Sequence, residues 1–182
     1  MISKWETINK KHIQNLKIFD VSILRRRHPE WNREGDFVVL NSPRWVNIIP
    51  ITKDGNVVLI EQYRHGIDDL TLEVPGGLVE PNEEPMEAAE RECREETGFS
   101  SEIHATLLGE ILPNPAFLDN KCYSYVWLDC ELKYSQHLDG SEEISVIEYP
   151  LSDIKNLILN NKIQHSLVLT AFFFYFLKYN NV

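Results

Sequence analysis

Eight glutamates fall within the seventeen residues Glu80–Glu96, and three of them, Glu92, Glu95 and Glu96, lie three and four apart in "RECREETGF" (91–99). On a helix these three are neighbours, and like charges at that spacing cost roughly 0.2–0.5 kcal/mol per pair. Oxygen-rich clusters of this kind suit hard cations. Mg²⁺ in particular takes a few carboxylates together with water and substrate phosphates. A run of charge on a solvated helix face is the ordinary alternative, and Glu84, Glu87 and Glu90 are assigned to it. The stripe Glu92–Glu95–Glu96 is harder to explain that way. Only Arg91–Glu95 supplies an opposite-charge i,i+4 pair, while Glu92–Glu96 is repulsive.

The element that must carry these carboxylates is a helix over residues 85–97. Pro85 suits its first position and Gly98 the residue just past its end. At 100° per residue Met86, Ala89 and Cys93 form a narrow apolar stripe beside the three glutamates. Docking that stripe on a sheet leaves the carboxylates at the sheet's edge, where a pocket can form.

The chain has 182 residues, 43% apolar and 25% charged, with a net charge of -10. Such a balance fits a globular protein and argues against nucleic acid or an anionic membrane as partner. An anionic substrate would then need local positive charge, which a divalent metal provides. Cys93, Cys122 and Cys130 show neither zinc spacing nor a disulfide framework, so they are read as reduced thiols in a cytoplasm. The N-terminus lacks the apolar core of a signal peptide. The most apolar stretch, "LVLTAFFFYFL" (167–177), is too short to span a bilayer and is read as a buried core helix.

Around the helix the pattern predicts strands. "LKIFDVSIL" and "DFVVL", joined by the polar turn "RRRHPEWNREG", form an N-terminal extension within residues 1–43. "WVNIIPI" (45–51) and "VVLIEQYR" (57–64) flank Asp54-Gly55, a hairpin signal. "LTLEVPGG" (70–77) is a strand ending in a turn, and further strands fall at 103–112, 122–132 and 144–150. Two helices close the chain, at about 152–160 with Ser152 as cap and at about 164–178. Strands with helices between and after them predict a layered α/β (α+β) domain over 44–182.

Gly77, then Glu83, then "RECREETGF" reproduce the spacing of the Nudix box, and the chain resembles the Nudix hydrolases over roughly residues 44–178. The one departure is Cys93 at an apolar position, where its packing role survives. The resemblance implies the Nudix fold, a mixed β-sheet sandwiched between α-helices. It implies Mg²⁺ or Mn²⁺ held by Glu92, Glu95, Glu96 and the Gly76 carbonyl, with Arg91 orienting Glu95 and Glu83 bracing the loop. Glu95 and Glu96 thereby belong to the catalytic set as well as the metal set. The implied reaction is attack of water on a diphosphate.

Stretches outside the box narrow the substrate. "LIEQYRHG" followed by "LEVPGG" looks like the ADP-ribose and nucleoside-diphosphate-sugar pyrophosphatases, whose substrate-serving arginine and glutamate match Arg64 and Glu73. Pro115 in "ILPNPAFLDNKC" falls where that subgroup carries a proline beyond the box. The general base of the subgroup matches the loop "LDGSEEISV", as Glu142 with Glu143 the runner-up. Stacking on the base falls to an aromatic, Trp45 or Trp31 before Tyr63 or Phe117. The subgroup commonly forms homodimers that lend N-terminal residues to the partner's pocket, a role for the extension. His28, His65 and His137 show no metal spacing and are read as surface residues. Two other readings stay open: the same chemistry on dinucleotides or nucleoside triphosphates, and a module that senses ADP-ribose or nucleotide without turnover.

Overall fold

A computed structural model describes residues 2–140 and 142–179; Met1, Ser141 of the 138–146 loop and the terminal residues 180–182 of the 44–182 domain lie outside the described residues. The backbone forms two compact units. One runs to Pro43 and takes in Leu112–Lys121, and the other comprises Arg44–Ile111 and the chain from Cys122 onward.

The first unit is a three-stranded antiparallel sheet of β1 (Glu6–Asn15), β2 (Asp20–Arg27) and β3 (Glu34–Asn41), in that order. β1, "ETINKKHIQN", is a strand that the sequence pattern does not announce. It lacks apolar alternation and is exposed at every residue, so pairing to β2 from Glu6–Arg27 to Asn15–Asp20 defines it. Leu112–Lys121 joins this sheet through the Leu40 N–H, which donates to the Phe117 carbonyl at 2.8 Å. His28, expected at the surface, is 4% exposed. Its Nδ1 accepts the backbone N–H groups of Glu30 and Trp31 at 3.2 and 3.1 Å, which fixes that nitrogen as an acceptor.

The second unit is built on an eight-stranded mixed sheet. Its strands are β4 (Trp45–Thr52), β5 (Asn56–Arg64), β6 (Asp69–Glu73), β7 (Gly76–Leu78), β8 (Phe99–Ser100), β9 (Thr106–Ile111), β10 (Cys122–Leu132) and β11 (Ile144–Pro150). The central order is β11-β5-β4-β10-β8, with β4 and β10 parallel. Asp54-Gly55 makes the turn expected of it, with Gly55 at φ 81°. The ladder across that turn is nevertheless a single pair, Ile51–Val57, because β4 goes on to β7 and β10 while β5 goes on to β6 and β11. "VPGG" is less a turn than expected, since Gly76 and Gly77 pair with Asn47 and Val46.

β4 is buried on both faces, which is why it reads as an unbroken apolar run. Val46 and Ile48 enter a core with Ala88, Ala89 and Cys93 of α1 (Pro85–Thr97). Ile49 and Ile51 enter a second core with Ile154 of α2 (Ile154–Leu159) and Val168, Ala171 and Phe172 of α3 (Ser166–Tyr179). The sheet is therefore held between α1 on one side and α2 with α3 on the other. Two details differ from expectation. Ser152 sits in a 3-10 turn (Leu151–Asp153), and its hydroxyl bonds Asp153 instead of capping α2. α3 is buried along one face only, with Phe173 and Leu177 59% and 58% exposed.

α1 ends where the sequence places its end. Gly98 adopts φ 75° and returns its N–H to the Arg94 carbonyl. A Cβ there would lie 2.1 Å from the Tyr134 carbonyl oxygen. Gly98→Ala is expected to cost at least about 1–3 kcal/mol, read as a lowered urea midpoint with an unchanged slope.

Candidate functional site

Arg91, one turn into α1, organises the carboxylates around it. Its Nε and Nη2 donate to the two oxygens of Glu83 at 2.9 and 3.1 Å. Nη1 donates to Glu92 at 2.9 Å and to Glu95 at 3.0 Å, and Nη2 also reaches the Leu78 carbonyl at 3.1 Å. All five guanidinium hydrogens are thus spent. Glu83 in turn accepts the Glu80 N–H at 2.9 Å, closing the loop before the helix.

Glu96 makes no bond to Arg91 among the described residues and accepts the Gly76 N–H at 2.9 Å. It is 6% exposed. Burial pushes its carboxyl up to about 8 against the pull of that N–H, and the charges of Glu92 and Glu142 push the same way. Glu92 is raised too, first by burial, with Arg91 opposing and Glu95 and Glu142 adding repulsion. Gly77 makes room for Glu92, since a Cβ there would lie 2.5 Å from its carboxyl carbon.

Glu142 stands in the loop just before β11. The last pair of β5 with β11 is Gln62–Ile144; Arg64 ends β5 two residues on, and Glu142 lies two residues before β11. The Glu142 charge is felt at Glu92, Glu96 and Arg64. Its carboxylate accepts the Asp139 N–H at 3.0 Å, folding back on its own turn. Glu143 beside it is exposed.

Arg64 and Glu73 form a second ion pair. Nε and Nη2 of Arg64 donate to the two Glu73 oxygens, both at 2.8 Å, in a bidentate grip. Glu73 also accepts Thr71 Oγ1 at 2.6 Å and faces His165 Nδ1 at 2.8 Å. Burial alone would raise the Glu73 carboxyl, but the bonds from Arg64, His165 and Thr71 outweigh it and hold it well below the usual range. The Glu73 side chain is 4% exposed against 43% for Arg64. Glu73 is therefore engaged within the protein, and Arg64 is the more exposed member, with no hydrogen bond from its Nη1 among the described residues. Thr71 and His165 went unnoticed in the sequence. His165 is 92 residues from Glu73, and nothing local marks it.

Trp45 is half-buried on β4, paired with Leu78 and Cys122. Trp31 and Pro115 belong to the other unit. There Trp31 stacks on His28 with ring centroids 4.1 Å apart, Arg33 lies 5.4 Å from the Trp31 ring centre, and Pro115 is exposed. One glutamate departs from its assignment. Glu90, expected on the solvated face, is 9% exposed, and its carboxylate accepts the Ala105 N–H at 2.9 Å and faces His104.

Whether these residues suit a divalent cation can be judged from their charge. Among the described residues no three His, Cys, Asp or Glu side chains close round a common point. Arg91 holds Glu92 and Glu95, and the Gly76 N–H holds Glu96, in their present directions. The donor set is nonetheless all oxygen, and burial disfavours the charged form of both Glu92 and Glu96 by more than Arg91 and the Gly76 N–H offset. That combination fits a hard divalent ion.

Two outcomes follow from this geometry. Gly77→Ala displaces only the mobile end of Glu92, so the melting temperature should stay within a few degrees while divalent-ion affinity, by calorimetry, falls at least about tenfold, or about 1.4 kcal/mol. Glu96, with a folded value near 8 against 4.5 unfolded, binds its proton more tightly in the folded state. Its contribution to stability is full below about pH 4.5 and is lost as pH rises through about 8. The metal-free protein should lose melting temperature across that window, and Glu96→Gln should flatten the loss.

Comparison with known proteins agrees with this arrangement. The NUDIX domain model matches residues 42–172. "ADP-ribose pyrophosphatase" of Bacillus subtilis is 25% identical over 159 residues, covering 87% of this chain and 85% of that protein. "Methanol dehydrogenase activator" of Bacillus methanolicus is 31% identical over 134 residues, 73% of this chain and 72% of that one. A crystal structure of ADP compounds hydrolase superposes with TM-score 0.86 at 22% identity, covering 100% of this chain and 99% of that chain, a likeness of fold. With its box helix, its sandwiched mixed sheet and these relatives, the chain belongs to the NUDIX domain family and is a Nudix hydrolase.

Proposed function

We propose that this hydrolase cleaves the diphosphate of ADP-ribose or a related nucleoside diphosphate sugar, giving a nucleoside monophosphate and a sugar phosphate. The observation that carries the reading is a pairing of two charge states. Glu92 and Glu96 are carboxyl groups whose charged form burial disfavours, so a cation beside them is favourable. Arg64 is a partly exposed guanidinium that buried Glu73 fixes by one edge, with Nη1 making no bond among the described residues. A metal-bound diphosphate satisfies both. The name of the Bacillus subtilis relative, ADP-ribose pyrophosphatase, supports the choice of substrate.

In this reading Gly76, Glu92, Glu95 and Glu96 hold Mg²⁺, or Mn²⁺ in its place. Bound there, the cation neutralises the diphosphate and lowers the pKa of the attacking water. Arg64 grips a phosphate oxygen, and Glu73 positions Arg64 instead of touching substrate. Trp45 or Trp31 stacks on the base and Pro115 borders the pocket. Glu142, once released from the Asp139 N–H, takes the proton from water, with Glu143 as the alternative. The first unit is the dimerisation element of a homodimer, which the exposed Ile8 and Ile13 of β1 and the exposed Val38 support. The site of action is the cytoplasm, consistent with three unpaired, buried cysteines. Among the described residues no helix is long and apolar enough to cross a membrane.

Incubation with ADP-ribose should yield AMP and ribose 5-phosphate in Mg²⁺ or Mn²⁺ and nothing after chelation. Release of pyrophosphate from a nucleoside triphosphate would move the assignment to that substrate class, and tight binding without turnover would make the protein a sensor. Glu142→Gln should lower kcat by about 10²–10⁴-fold with metal affinity little changed; near-normal turnover would remove Glu142 from the mechanism.

A further inference from the structure

The two carriers of the site, α1 and the loop leading into β11, are far apart in sequence: Glu96 and Glu142 are 46 positions apart. The last carbonyls of a helix have no partner within it, so something outside must take them. At the end of α1 the partners come from one short segment. The Gly98 carbonyl accepts the N–H groups of Lys133 and Tyr134, both at 3.0 Å, and the Glu95 carbonyl accepts that of His137 at 2.8 Å. The Glu96 carbonyl is taken by a side chain, with Gln136 Nε2 donating at 2.7 Å. The same nitrogen donates its second hydrogen to the Ile144 carbonyl at 3.2 Å.

We propose that Gln136 is a positioning residue for the reaction: one amide group staples the Glu96 end of α1 to the first residue of β11 and so sets where Glu142, two residues upstream of Ile144, stands relative to the carboxylates. The inference rests on Glu142 acting as the general base. The His137–Glu95 bond holds the loop five residues before Glu142, and the bonds nearest Glu142 constrain it from its own side. Its N–H and carboxylate close a turn with Asp139, at 2.9 and 3.0 Å, and Ile144 is paired with Gln62. Neither of these ties the base to the helix that holds Glu92 and Glu96, whereas the staple does so directly. A base must come within hydrogen-bond reach of the attacking water, so a small shift of its carrier lowers the rate without touching substrate affinity.

The test is a double-mutant cycle in the full chain, with steady-state kinetics on ADP-ribose and Mg²⁺. Glu142→Gln alone reads the assignment of the base. Gln136→Ala, and Gln136→Glu, which keeps the size but replaces the amide donor, should each lower kcat at least about tenfold with KM within about twofold. In the Glu142→Gln background the same changes should alter kcat by less than about twofold, because a misplaced base no longer matters. Thermal melts of both variants confirm that the fold persists. Unchanged kcat in both Gln136 variants, or a further tenfold loss in the Glu142→Gln background, overturns the proposal while leaving the base assignment standing. Near-normal turnover by Glu142→Gln overturns both, and does so in the single variant.

Discussion

The site depends on carboxylates that the protein buries without supplying enough positive charge to balance them. Charges taken out of water must be paired or they revert to the neutral form. Arg91 is the only guanidinium hydrogen-bonded to Glu92 and Glu95 among the described residues, and its five hydrogens are divided among Glu83, Glu92, Glu95 and the Leu78 carbonyl. Glu96 lies beyond its reach and holds a proton near neutral pH. The strain is tolerable because the apolar face of α1 is sunk in the sheet, where Ala88, Ala89 and Cys93 are fully buried. Packing free energy holds the helix in place against its own charge repulsion.

A second design principle is the division of labour in ion pairs. In Arg64–Glu73 the acid is buried and fully bonded while the base is left open toward solvent. The arginine is thereby fixed in direction without being used up. The cost of burying Glu73 is offset by four donors, two from Arg64 and one each from Thr71 and His165. Arg91 shows the converse, a cation with no hydrogen to spare, suited to holding carboxylates apart and not to meeting a substrate.

Much of the box helix was legible because local rules act within one turn. Pro85, the Met86–Ala89–Cys93 stripe and Gly98 fix its start, face and end independently of the rest of the fold. The strands with apolar content were legible for the same reason. β1 was not, since its ten exposed residues carry no alternation and backbone pairing alone makes them a strand. Glu90 and His28 were misjudged because single polar residues give no local sign of burial. Each is enclosed by partners that another element, or the turn around it, provides.

The sequence by itself determined the chemistry: which residue types recur at helical spacing, and hence a metal-ready row of oxygens on one face of α1. Spacing along a helix is a short-range property, set by 3.6 residues per turn. Only the tertiary structure decided how the row is charged and who attends it. Burial raises Glu92 and Glu96, the fold brings the Glu142 charge to bear on Arg64, and His165 and Gln136 reach partners that no sequence interval predicts. Desolvation and long-range hydrogen bonds exist only once distant segments meet, so no stretch of the chain can announce them.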